Sequence, residues 1–197
     1  MTGDLEARSR TAAPLVLASR SPQRRAILKQ LGIKFRAVAP AVEELSQGSP
    51  EGLVVENARR KAEAVEGPLV LGVDTTVALD GRSYGKPSDG DAAGKTLGAL
   101  SGREHEVWSG IALRGGDEDE VRSARTLVRF RALSAMEIEW YLATGEWRER
   151  AGGYAIQGRG AVLVEEIEGD FWNVVGLPVA ALMGLAPELV VAGRRSR

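Results

Sequence analysis

Residues Leu15–Gly32 read LVLASRSPQRRAILKQLG, an apolar run that breaks directly into an amphipathic helix. Leu15, Val16, Leu17 and Ala18 have the unbroken apolar character of a strand buried on both faces. Ser19 and Ser21 bracket the break, Pro22 suits a first helical position, and Gly32 follows the last apolar residue as a stop. Ser21 is therefore the expected N-cap. A helix that starts here presents unpaired backbone N–H groups and the positive end of its dipole, to which Arg24 and Arg25 add two full charges. Cations at a helix start oppose the dipole unless an anion offsets them, so the segment reads as a phosphate site, the alternative being an ordinary amphipathic helix with solvated arginines. Helical spacing puts Arg24 on the face of Ile27 and Leu28, at the rim of the buried side, and turns Arg25 partly toward solvent.

Outward from this segment, Phe35 to Ala39 predicts a second strand, followed by a loop carrying Glu43 and Glu44. Val55, Ala58, Ala62 and Val65 repeat at helical spacing until Gly67-Pro68 ends the pattern. The apolar run from Leu69 to Val73 then predicts a buried strand closed by Asp74. Val77 to Leu79 lead to a turn at Asp80-Gly81, a hairpin whose return arm reaches Tyr84, Gly85, Lys86 and Pro87. A helix from about Asp91 to Leu100 precedes strands around Val107 to Leu113 and Val121 to Phe130, which flank a polar turn between Gly115 and Glu120. Ser134 and Glu137 have capping-box spacing at the head of a helix that Gly145 stops. Strands and helices alternate, with hairpins in the middle. The fold class is α/β: a mixed sheet flanked by helices.

The 197 residues suit one domain, and 44% hydrophobic content supports a sizeable core. The first fourteen residues mix charged and small side chains without the apolar centre of a signal peptide and read as a loose tail, leaving residues 15–190 as the domain. No run approaches the roughly 20 apolar residues of a membrane span, so the expected compartment is the cytoplasm. Lys plus Arg (26) balances Asp plus Glu (27), which gives no general field for nucleic acid or an anionic membrane. With no cysteine and one histidine, His105, the chain can build neither thiolate sites nor a histidine metal cluster. His105 reads as a residue that orders a turn, and Trp108, Trp140, Trp147 and Trp172 as core or interface anchors.

A carboxylate at the end of a buried strand is costly without a cation, a metal or hydrogen bonds, so Asp74 needs a partner. Lys86 on the return arm and Lys61 on the preceding helix are both candidates. An acid in a polar loop, such as Glu44, is by itself most often solvated. An arginine-rich helix start, one or two carboxylates and a lysine nevertheless form a parts list for metal-assisted chemistry on a phosphate ester. Magnesium suits it, since it takes one or two carboxylates plus water and substrate phosphate. The chain contains no GxxxxGK[ST] pattern, which disfavours a P-loop enzyme.

At these residues the chain resembles the Maf family of nucleoside triphosphate pyrophosphatases. The resemblance is carried by SRSPQRRAILKQLG, ARRKA (Ala58–Ala62), LGVDTTVALDG, YGKP, LSGREHEVWSG from Leu100, AGGYAIQG from Ala151 and GDFWNVVGLP from Gly169. It implies hydrolysis of a nucleoside triphosphate to monophosphate and pyrophosphate with a divalent cation, Mg2+ or Mn2+. It also implies an inosine triphosphatase-like fold, a long twisted sheet whose two lobes enclose a cleft. Carried over, Asp74 is the proton acceptor, Glu44 and Asp74 hold the metal, and Ser19, Arg24, Lys61 and Lys86 bind the triphosphate, with Lys86 counted among the catalytic groups. Gln157 faces the base. The dTTP and UTP branch has arginine after the Ser-Pro pair, threonine after the catalytic aspartate and glutamine in the IQG block. Thr75 and Gln157 match it; Gln23 replaces the arginine. The branch acting on 7-methyl-GTP resembles Trp, Gln and Glu at these positions and shares none with this chain. A primary amide offers both donor and acceptor, which suits the imide edge of uracil or thymine. The rival expectation is a nucleotide-binding regulator of septum formation that does not turn substrate over; a homodimer is a further expectation.

Overall fold

The computed structural model describes residues 14–115 and 119–191. The expected tail, Pro14 apart, the RRSR end and the middle of the turn after Gly115 lie outside them. The element order is β1 (Leu15–Ala18), α1 (Pro22–Gln30), β2 (Phe35–Val38), α2 (Pro50–Glu63), β3 (Leu69–Leu79), β4 (Arg82–Tyr84), α3 (Gly90–Leu100), β5 (Glu104–Arg114), β6 (Glu120–Phe130), α4 (Ala135–Thr144), β7 (Val164–Glu168), α5 (Phe171–Val175), α6 (Val179–Leu185) and α7 (Glu188–Val191). Two short 3-10 turns, Ala151–Gly153 and Arg159–Leu163, fill the stretch between α4 and β7.

Seven strands form one mixed sheet in the order β2-β1-β3-β5-β6-β7, with β4 paired to β3. β1 runs parallel to β2 and β3; the remaining pairs are antiparallel. The α/β class expected from the sequence is the one observed. β3 is longer than expected: Asp74 does not close a strand but sits inside an eleven-residue one. β5 covers one edge of β3 from Val70 to Ala78. On the other edge β1 pairs with Leu69–Gly72 and β4 with Val77–Leu79, so residues 73–76 lie in a notch between them. The strand-to-helix break after Ala18 opens into that notch.

Side chains alternate across β3. Leu69, Leu71 and Val73 face α1 and α6, packing with Ile27, Leu28, Leu182 and Leu185. Val70 faces the other way, toward Ala58 and Ala62 of α2, with Val16 and Ala18. Farther along, Val77 joins Val107, Val128, Phe130 and Tyr141 in a third cluster. The stripe of α2 is rotated from the expected one: Leu53, Val54, Asn57, Ala58, Lys61 and Ala62 are buried, and Val55 is not. The rotation turns two polar side chains, Asn57 and Lys61, onto the sheet. Asp80 (φ 51) and Gly81 (φ 75) both adopt positive φ, as the expected tight hairpin requires. The Ser134–Glu137 capping box is present, and Gly145 ends α4 in left-handed conformation. Among the described residues, no helix is long and apolar enough to cross a membrane.

Candidate active site

The geometry of the notch begins with two glycines. A Cβ at Gly72 would fall on the Ala58 carbonyl, and one at Gly110, directly opposite Asp74, would fall on the Val54 carbonyl. Their absent side chains let α2 lie against the sheet by its backbone, which brings Asn57 and Lys61 down onto Asp74. Lys61 Nζ donates to Asp74 Oδ1 at 2.6 Å and lies 3.0 Å from Glu44 Oε1. Asn57 Nδ2 donates to Asp74 Oδ2 at 3.1 Å. Lys61 is thus the partner that Asp74 needed. Lys86 instead pairs with Glu149 at 3.0 Å on the surface. It sits on the loop after β4, whereas Lys61 is held over the strand by α2.

Lys61 and Asp74 are both buried, while the Glu44 side chain is 49% exposed. Burial works against the Glu44 charge, but Lys61, by charge and hydrogen bond, with Lys86 and Arg24 farther off, outweighs it and holds the carboxyl below its ordinary range. Glu44 is therefore not simply a solvated loop acid.

Below the same notch, Arg24 is buried and engaged on every side. Ser21 caps α1 by accepting from the Arg24 backbone N–H, as expected. The Arg24 guanidinium donates to Gly176 O (2.8 Å), Ser19 Oγ (3.1 Å), Val73 O (2.9 Å) and Thr75 Oγ1 (3.0 Å). Four of its five N–H donors are spent in this way. Burial lowers its pKa, and the charges of Asp74 and Glu44 pull back in the opposite direction. Ser19 also accepts from the Ser21 N–H at 3.2 Å, and Thr75 shares a 2.8 Å hydrogen bond with the buried Ser109 hydroxyl. One arginine therefore ties together the end of β1, the open edge of β3 and the C-terminal end of α5. Arg25 is half-buried, with its Nε unpartnered.

A family model described as Maf-like protein matches residues 14–189. The chain belongs to the Maf family. It is similar to a dTTP/UTP pyrophosphatase of Symbiobacterium thermophilum, with 49% identity over 84% of this chain and 88% of that relative. The dTTP/UTP pyrophosphatase of Thermus thermophilus is 47% identical over 87% of this chain and 92% of its own length. That of Pyrococcus furiosus is 43% identical over 87% and 93%.

The Maf blocks converge unequally in space. Those with Ser19, Arg24, Lys61, Asp74 and Thr75 meet at the notch, while Lys86 and Gln157 stand on exposed loops outside its hydrogen bonds. The Gly152 backbone packs on Val77, and its N–H donates to Gly85 O at 3.1 Å, so the AGGYAIQG block abuts the far end of β3 and the Lys86 loop. Gln23 Oε1 accepts from the Ser21 hydroxyl at 3.1 Å, which places the Gln23 amide beside the cap of α1. His105 orders no turn: it lies inside β5, 1% exposed, with its Nε2 3.0 Å from the Tyr154 hydroxyl. Burial pushes its pKa down to about 4, against a backbone contact with Arg103, which leaves a neutral core ring. Trp147 is buried and Trp140 is exposed; Trp108 and Trp172 are half-buried.

Sequence reasoning missed Asn57, Ser109 and the Gly176 carbonyl. The first carried a signal: an asparagine four residues before Lys61 shares its helix face. The other two did not, because the serine is an ordinary strand residue and a carbonyl has no sequence signature.

Proposed function

We propose that this chain hydrolyses nucleoside triphosphates between the α and β phosphates, releasing the monophosphate and pyrophosphate, with dTTP and UTP preferred. The observation that carries the reading is the Glu44–Lys61–Asp74 array, assembled beside the α1 start in a chain nearly half identical to dTTP/UTP pyrophosphatases. Asp74 accepts the proton of the attacking water as its oxygen bonds to the α phosphorus and the bridging P–O bond breaks. Each Asp74 oxygen takes one hydrogen bond from Lys61 or Asn57 and retains a lone pair for the water. Lys61 and Lys86, with Ser19 and the Arg24 region, bind phosphate oxygens and the charge that builds on the departing pyrophosphate.

The donor set suits a hard divalent cation. Two carboxylates share one ammonium, and among the described residues no group of three or more His, Cys, Asp or Glu side chains is placed to hold a metal alone. Mg2+ or Mn2+ needs no more than one or two carboxylates, its other positions going to water and phosphate. Glu44 and Asp74 would hold it, and when bound it would neutralise charge on the phosphates and acidify water. Thr75 lies at the notch and Gln23 beside the cap of α1; Gln157, exposed on its turn, is the group that reads the base. The test is pyrophosphate release from a panel of pyrimidine, purine and modified triphosphates, with and without Mg2+ or Mn2+. UTP and dTTP should rank first, and a purine triphosphate at the head of the panel would overturn the base assignment.

A further inference from the structure

Asn57 is 2% exposed on α2, between the acidic loop and Asp74, and its amide makes three hydrogen bonds. Its Oδ1 accepts from the Leu45 N–H at 2.7 Å, and its Nδ2 donates to the Leu45 carbonyl at 3.0 Å. One side chain thus pairs with the backbone of Leu45 as a neighbouring strand would. Leu45 lies in a segment without regular structure, immediately after Glu44. The pairing also fixes the amide, because only this orientation sets a donor against the carbonyl and an acceptor against the N–H. The second Nδ2 hydrogen is then directed at Asp74 Oδ2, 3.1 Å away. A neutral donor holds that oxygen while Lys61 holds the other, so the carboxylate has one orientation and both its oxygens keep a lone pair.

We propose that Asn57 is a positioning residue that sets the Asp74 carboxylate and the Glu44 loop in register with each other. This rests on the hydrolytic reading given above. The hydrogen bonds of the Asn57 amide go to the Leu45 backbone and to Asp74, so it acts through the two carboxylates. Among the described residues, no other side chain bonds both the acidic loop backbone and Asp74. Aspartate, nearly the same shape, would set a carboxylate against the Leu45 carbonyl and against Asp74, so the role needs the amide and not merely a polar group.

The test compares wild type with Asn57→Ala and Asn57→Asp, and with Asn57→Ser should either fail to fold. Steady-state pyrophosphate release from UTP is measured alongside amide hydrogen exchange at Leu45. The expected result is a kcat lowered about 10- to 100-fold with KM within a few-fold, the range typical for groups that orient a reacting shell. Leu45 exchange should be faster in each variant, and Asn57→Asp should be no better than Asn57→Ala. In the double variant with Glu44→Gln, the losses should be less than multiplicative, since both act on the same loop. A raised KM with kcat retained, or multiplicative losses, would overturn the proposal. Unchanged Leu45 exchange would overturn it too, and that readout needs no turnover. Wild-type protein that releases no pyrophosphate from any triphosphate would instead count against the hydrolytic reading.

Discussion

Arg24, proposed above as part of the phosphate site, is also a tie in the framework beneath it. Its guanidinium satisfies two backbone carbonyls and two hydroxyls from three parts of the chain. Arg24→Ala removes those donors and leaves the carbonyls of Val73 and Gly176 to find others. It should lower stability by roughly 2–4 kcal/mol as well as weaken nucleotide binding. Arg25→Ala, with no such partners, should stay within about 0.5 kcal/mol of wild type in urea unfolding; equal losses would contradict this division of labour. The face of Arg24 was legible from its spacing to Ile27 and Leu28, but its four acceptors were not, since they come from distant segments. His105 gives a pH-dependent counterpart. The unfolded ring takes a proton near 6.5 and the buried one only near pH 4, so the unfolded state binds more protons across that window. Stability should therefore fall as pH drops from about 6.5 to 4, by about 3 kcal/mol in total from this group. Urea titrations at several pH values should show a shallower fall for His105→Gln.

At the level of elements, the site depends on how closely α2 lies on β3 and β5. Periodicity predicted this helix but placed Val55 on its buried stripe, because apolar character was the only guide. The structure buries Asn57 and Lys61 instead, since Asp74 repays their desolvation. Gly72 and Gly110 set the approach, and neither could be recognised from sequence without knowing that they face α2 on paired strands. Gly110→Ala should push α2 outward, costing about 1–3 kcal/mol in stability and displacing Lys61 and Asn57 from Asp74. Turnover should fall more than nucleotide binding. A variant that is less stable but fully active would show that the close packing serves the core alone. β3 is a different case: its continuation past Asp74 is paired to β5 and also carried by the β-branched Thr75, Thr76 and Val77, a local signal the sequence held.

Over the whole molecule, the sheet class, the capped α1 and the hairpin at Asp80-Gly81 followed from local signals: apolar runs, a serine before a proline, an Asp-Gly turn. The notch did not, because it arises where two strands share an edge of a third and fail to meet. It turns separate blocks of sequence into one arrangement, with α2 supplying Lys61, the loop before it Glu44, and β3 Asp74. On the proposed reading the base preference is set farther out, and Gln157→Glu should weaken the ranking of UTP and dTTP over ATP and GTP by removing an amide donor. The central claim is that Asp74 performs the chemistry and is not merely half of a buried ion pair. Single-turnover pyrophosphate release, measured with nucleotide binding for Asp74→Asn, tests it most directly. The amide keeps the shape of the carboxylate, so the variant should fold and bind triphosphate while hydrolysis falls by at least about 10²- to 10⁴-fold. Near wild-type turnover, or a variant that no longer folds, would contradict the account.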